Sequence, residues 1–265
     1  MKILQHILSK STLLLLGYFV VFINGSSLGA VTQTDAPVKT VVPVIIRKIP
    51  HDTAAFTQGL LWYRGYLYES TGIEGRSSLR KIDPATGRIL LKKDIPMVFG
   101  EGLARAGSTL TMLTWKNGIA MRFTLEGFSS LDYARYSGEG WGLTHDGKNF
   151  VMSNGSDSLY WRNSKFETVR AVKVSIDGNV CTNLNELEAA NGFVYANIWY
   201  QPVIVEIVPS SGKVRRIIDC RNLVALGAPQ PTQDVLNGIA WCESSKTFYL
   251  TGKNWRYVFE VRIPK

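Results

Sequence analysis

Seven residues of this chain would make a proton-moving, water-excluding pocket if the fold brought them together. They are Glu101, Lys253, Gln58, Asn185, Trp115, Trp141 and Trp199. A carboxylate and an ammonium can move protons or stabilise developing charge. Two carboxamides offer paired donors and acceptors that fix a polar substrate, and three indoles can wall a dry, shaped cavity. A single tryptophan of this kind more often fills a core. Three at equivalent places, beside glycines and polar residues, favour a site. Glu69, Glu186 and Asn154 stand at related places. Glu69 and Glu186 are the runner-up carboxylates, and Glu186 reads as structural, its charge met by turn amides or by a channel-bound ion.

These residues lie far apart in sequence, so a repeat must position them. Five related blocks do so: Phe56-Thr57-Gln58-Gly59-Leu60, Phe99-Gly100-Glu101-Gly102-Leu103, Glu139-Gly140-Trp141-Gly142-Leu143, Leu184-Asn185-Glu186-Leu187 and Leu236-Asn237-Gly238-Ile239-Ala240. Aligned on Leu60, Leu103, Leu143, Leu187 and Ile239, they are spaced by 43, 40, 44 and 52 residues. A period of that length filled with strands predicts a β-propeller with one repeat per blade.

The strands are legible on their own. Leu67–Ser70, Leu110–Trp115, Phe150–Ser153, Phe193–Ala196 and Phe248–Thr251 are short apolar, β-branched and aromatic runs bounded by turn residues. Leu79–Asp83 and Ile204–Val208 add further strands, followed by the tight turns Pro84-Ala85-Thr86-Gly87 and Pro209-Ser210-Ser211-Gly212. No capped 3.6-residue period stands out, so almost no helix is expected. The fold class is all-β, a five-bladed propeller in a single domain. Val41–Ile46 and Tyr257–Val261 are expected to meet in one blade, closing the ring and hiding two sheet edges. An open β-sandwich would leave the regular spacing without a reason.

Residues 1–29 read as a signal peptide: Lys2 and Lys10, then the 12-residue apolar run Thr12–Ile23, then the small residues Ser27 and Gly29. That run is short for a bilayer span, so no stable membrane insertion is expected. Residues 30–49 are a lead-in and closing strand, and residues 50–265 the propeller. The implied location is outside the cytoplasm, periplasmic or secreted. The net charge of +9 concentrates at Arg76, Arg80, Lys81, Arg88, Lys92 and Lys93. Scattered through the strands of one blade without a nucleic-acid motif, these read as a solvated outer face, and no nucleic-acid partner is expected. Cys181, Cys220 and Cys242 allow at most one disulfide, and buried free thiols are the default. Only His51 and His145 remain after the leader, which argues against a histidine-rich metal site and against a Ser-His-Asp triad.

The five blocks, read with Tyr68-Glu69-Ser70-Thr71-Gly72, Leu113-Thr114-Trp115-Lys116, Ala196-Asn197-Ile198-Trp199 and Thr251-Gly252-Lys253-Asn254-Trp255, carry a resemblance. In order and across the mature chain, they resemble the glutamine cyclotransferase family of plants and bacteria, the β-propeller type of glutaminyl-peptide cyclotransferase. The resemblance implies five blades and conversion of N-terminal glutaminyl residues of peptides to pyroglutamate with release of ammonia. Carried over position by position, the pocket residues would be Phe56, Gln58, Phe99, Glu101, Trp115, Trp141, Asn185, Trp199 and Lys253. Glu101 would shuttle the proton and Lys253 would face the carbonyl oxygen. No cofactor or catalytic metal is expected, with room left for a structural cation in the channel, and the protein reads as a monomer. Asn154 and Arg256 depart from the family's usual aspartate and proline. Two other classes compete: a non-catalytic propeller binding peptide or glycan, and a metal-dependent lactonase-type propeller.

Overall fold

A computed structural model of the chain describes residues 37–230 and 232–265. The signal-peptide reading over residues 1–29 and the first part of the lead-in lie outside the described residues.

Five antiparallel sheets follow one another along the chain. Blade 1 is Thr57–Tyr63, Tyr66–Thr71, Ser78–Ile82 and Ile89–Asp94, and blade 2 is Gly100–Ala106, Thr109–Thr114, Ile119–Thr124 and Ser130–Arg135. Blade 3 is Leu143–His145, Phe150–Met152, Ser158–Arg162 and Thr168–Lys173. Blade 4 is Leu184–Ala190, Phe193–Ile198, Val203–Ile207 and Val214–Asp219, and blade 5 is Leu236–Cys242, Thr247–Gly252 and Tyr257–Arg262. A small hairpin, Ser175–Ile176 with Asn179–Val180, joins blades 3 and 4. The first strand of each blade contacts the first strand of the next, and that of blade 5 returns to blade 1. The ring is therefore closed. Five apolar clusters fill it, one in each gap between neighbouring blades, so burial itself favours the radial stacking.

Closure uses the N-terminal segment as expected, with one difference. Val44–Pro50 pairs antiparallel with Tyr257–Arg262 and supplies the outer strand of blade 5. Lys39–Val41 instead runs parallel to Val214–Asp219 on the outer edge of blade 4. Pro43 has no N–H to offer a ladder and restricts Val42, so the expected single strand splits there into two that cap two different blades. A second difference is the helix Arg221–Gly227, which lacks a side-chain N-cap and went unread. It exists because Leu223 and Gly227 turn inward. A Cβ at Gly227 would sit 2.6 Å from the Trp255 ring, so only glycine lets the helix lie that close.

A buried ion pair reinforces the closing seam. His51 Nδ1 lies 3.0 Å from Trp255 O, and Nε2 lies 2.9 Å from Glu69 Oε1. A carbonyl and a carboxylate both accept, so both ring nitrogens donate and His51 is an imidazolium. Burial lowers its pKa, but the Glu69 charge and hydrogen bond and the Trp255 carbonyl outweigh that and raise it above 6.5. Burial likewise raises Glu69, yet the His51 charge and bond, Arg80 and Thr57 hold it below 4.5. Its stabilisation is thus complete between about pH 4.5 and 6.5. It is lost upward as pH rises through the raised His51 value, and downward as pH falls through the depressed Glu69 value. His51→Ala leaves a buried carboxylate short of its partner and should cost about 3–5 kcal/mol near pH 6. The check is the urea midpoint of both proteins across pH: the gap between them should narrow as pH rises above 6.5.

Candidate active site

The inner strands are irregular where the candidate site residues lie. Their pairing slips between Thr57 and Gly59, Gly100 and Leu103, Leu184 and Leu187, and Leu236 and Ile239. Such bulges re-aim a side chain out of the alternating pattern. The residues they re-aim are Gln58, Glu101, Asn185 and Asn237, and Trp141 holds the same place just ahead of the short inner strand of blade 3. Each is followed by a residue crowded against the next blade. A Cβ at Gly59 would lie 2.4 Å from Leu103 N, at Gly102 2.3 Å from Leu143 N, and at Gly142 2.0 Å from Asn185 O. Glycine there lets backbones of adjacent blades touch. Blade 4 replaces it with Glu186, whose buried carboxylate accepts Leu60 N–H at 3.2 Å and Ile239 N–H at 2.9 Å. Glu186 is thus structural, but its partners are strand amides of blades 1 and 5 and not the expected turn amides, and burial raises its carboxyl well above the usual 4.5.

The second set comes from the residue after the second strand of a blade. Trp115 N–H donates to Phe99 O at 3.0 Å, Trp199 N–H to Asn183 O at 2.9 Å and Lys253 N–H to Val235 O at 2.9 Å. One repeated backbone bond thus aims Trp115, Trp199 and Lys253 at the axis. In blade 1 the same bond is made by Gly72 to Phe56 O at 2.8 Å. Glu69 therefore lies mid-strand, paired with His51, and the expectation that it reaches the pocket is corrected. Asn154 also stays out, its Oδ1 accepting the Ser156 hydroxyl at 2.6 Å. Arg80, read as part of a solvated face, is buried and lies 3.0 Å from Asp52. Cys181, Cys220 and Cys242 are buried free thiols.

Both sets meet in one cavity of about 220 Å³. Its lining includes Phe56, Gln58, Phe99, Glu101, Trp115, Trp141, Asn185, Trp199 and Lys253, joined by Tyr200, Gln233 and Val235. Gln58 Nε2 donates to Glu101 Oε1 at 3.0 Å, while Gln58 Oε1 accepts from Asn237 Nδ2 at 3.1 Å. Asn237 also donates to Thr57 O at 2.9 Å, which sets which way round both amides sit. Asn185 lines this cavity, and its Oδ1 atom is buried without a partner. Phe56 and Phe99 meet edge to face at 6.0 Å, as do Trp141 and Trp199 at 5.2 Å, and Phe99 and Trp115 lie tilted at 5.5 Å.

Burial sets the electrostatics. It pushes Glu101 well above the usual 4.5, with Lys253 pulling back and the Glu139 charge pushing further. It pulls Lys253 down to about 8, opposed by Glu101. Lys253 Nζ lies 4.6 Å over the Phe56 ring, which supports the ammonium form by a cation–π contact. A carboxyl raised by burial and an amine lowered by burial thus share one cavity.

Glu139 and Asn237 also bear on the cavity, through hydrogen bonds to its lining residues, and the sequence did not single them out. Glu139 Oε2 accepts both Trp115 Nε1 at 2.8 Å and Trp141 Nε1 at 3.0 Å. The Glu-Gly-Trp-Gly block contained the signal, because two wall indoles each carry a donor that needs an acceptor. Glu139→Ala should loosen both and raise KM about tenfold, since one charge-assisted bond is worth about 1.5–3 kcal/mol. Glu139→Gln keeps an acceptor but removes the charge that raises Glu101. It should leave KM close to normal and move the acid limb of kcat/KM to lower pH, measured as a pH profile.

A closed five-bladed propeller with a buried glutamate and a buried lysine in one indole-walled cavity has the parts of an enzyme site for a small polar group. The profile of the glutamine cyclotransferase family matches residues 19–263, and the chain belongs to that family. It is 35% identical over 226 residues to the glutaminyl-peptide cyclotransferase of Arabidopsis thaliana, covering 83% of this chain and 70% of that one. The crystal structure of Myxococcus xanthus glutaminyl cyclase superposes with a TM-score of 0.80 at 39% identity, covering 86% of this chain and 98% of the other.

Proposed function

We propose that this chain is a glutaminyl-peptide cyclotransferase, closing the N-terminal glutaminyl residue of peptides to pyroglutamate and releasing ammonia. Family membership supports the activity. The observation that carries the mechanism is the desolvated Glu101 carboxylate, held by Gln58 Nε2 at 3.0 Å in a cavity shared with Lys253 and three indoles.

The substrate's α-amine nitrogen attacks its own Cδ, forming the ring N–C bond while the Cδ–Nε bond breaks. The Glu101 carboxylate takes one proton from the attacking nitrogen and gives one to the departing nitrogen, which leaves as ammonia. Glu101 ends as it began. Lys253 faces the carbonyl oxygen, where negative charge develops. Asn185 Oδ1, buried without a partner, suits a substrate N–H, from the amine or the carboxamide. The aromatic walls impose the folded shape and exclude water, which would otherwise deamidate the side chain. Acid, base and electrostatic roles all come from side chains, so the scheme needs no metal step.

Incubation with a Gln-Ala peptide should release one ammonia per peptide and leave a product lighter by that ammonia. Tight binding without release would favour the non-catalytic peptide-binding reading. The lactonase-type reading, with axial Glu, Asn and Asp side chains holding a divalent ion, would be favoured by hydrolysis of a lactone only when calcium is added. The basic, apolar, small-residue order of Met1–Gly29 supports export. N-terminal sequencing of the protein recovered outside the cytoplasm tests it.

A further inference from the structure

The cavity of about 220 Å³ is smaller than the roughly 300–1,000 Å³ of pockets that enclose a whole ligand. A peptide seated by its first residue must therefore leave across the rim. On that rim a second hollow of about 280 Å³ adjoins the first, and Tyr200 and Val235 line both. Pro202, Val224, Ala225 and Leu236 give it an apolar surface. Arg221 stands at its edge, but its Nε already donates to Asp219 Oδ1 at 3.0 Å and Oδ2 at 2.9 Å, so the chain meets that charge internally. Tyr200 divides the two hollows. Its φ of 62° is left-handed, unusual and strained for an aromatic residue, and its ring rests 4.5 Å from that of Trp199. That backbone keeps a large, exposed ring standing where the substrate chain must pass.

We propose that this second hollow is the subsite for the side chain of the substrate's second residue, and that it takes an apolar side chain. The inference rests on the reading of the first cavity as the glutaminyl site. Continuity with that cavity names the occupant, because the residue that follows the glutaminyl group must lie against the shared wall. Its chemistry names the preference.

Ammonia release from glutamine amide, Gln-Gly-Gly-amide, Gln-Leu-Gly-amide and Gln-Gly-Leu-amide tests the proposal. Gln-Leu-Gly-amide should exceed Gln-Gly-Gly-amide in kcat/KM by about tenfold or more, as side chains filling an apolar pocket do, with Gln-Gly-Leu-amide near the glycyl peptide. Ala225→Glu, at an exposed helix position, should abolish that preference and leave glutamine amide turnover unchanged. Val224→Thr, nearly isosteric, should weaken it and guards against a folding defect in the first variant. Equal rates for all three peptides, a preference at the third residue instead, or a preference surviving both variants overturns the subsite while the activity stands. No ammonia from glutamine amide or any peptide brings down the activity, and the subsite with it. An Ala225→Glu effect on sedimentation alone would give the hollow to a second copy of the chain and also overturn the proposal.

Discussion

Glu101→Gln should lower kcat by about 10²–10⁴-fold and leave the binding of a non-cyclising substrate analogue close to normal. The substitution is nearly isosteric, and Gln58 Nε2, now 3.0 Å from Glu101 Oε1, would still find an oxygen acceptor there. Walls and amides therefore keep their places, and only proton transfer is lost. The loss should be large because the leaving nitrogen must depart as ammonia, and among the described residues no other carboxylate lines the cavity. Glu186, one residue from Asn185, is engaged by two backbone amides, and Glu69 by His51. A second readout separates this role from simple packing. The Glu101 charge raises Lys253, so its removal should carry Lys253 further below about 8 and move the alkaline limb of the residual rate to lower pH. Retention of more than about a tenth of kcat would end the shuttle assignment.

The repeat made the ring legible. Blocks aligned on one apolar position marked the bulged residues Gln58, Glu101 and Asn185 together with Trp141, because a propeller turns equal sequence places into neighbours. The second set was read less well. Trp115, Trp199 and Lys253 were found, but Glu69 was taken for their counterpart in blade 1, where the aiming bond belongs to Gly72. A glycine at the aligned place carries no chemistry and so leaves no trace in a search for polar side chains. Its role is steric: a Cβ there would lie 2.4 Å from the Phe99 ring. Glu139 and Asn237 were missed for a related reason. They touch pocket residues and not the cavity itself, so only the positions of their partners give them meaning. The helix Arg221–Gly227 was invisible because Trp255 and Phe259, far along the chain, decide its packing.

Lys253→Met should lower kcat by about 10²–10³-fold, the cost of losing one donor to a developing oxyanion, with a smaller rise in KM. Uniform loss of ground-state binding would do the opposite, so the split between the constants identifies the role. The fold invests in this ammonium. Asn254 N–H donates to Ala55 O at 2.7 Å, Trp255 Nε1 to Asp234 O at 2.7 Å, and Nζ is set over Phe56. The two hydrogen bonds do not involve the Lys253 side chain, so methionine should sit in the same turn and the variant should fold. The pH profile gives the sharper test. In the parent enzyme, activity should fall on the alkaline side as Lys253 loses its proton at about 8. In the variant that limb should vanish. The acid limb should move to higher pH, because Lys253 lowers Glu101 and its removal leaves burial less opposed. An unchanged kcat, or an alkaline limb persisting in the variant, would take Lys253 out of the chemistry and leave carbonyl polarisation to the cavity's amide donors.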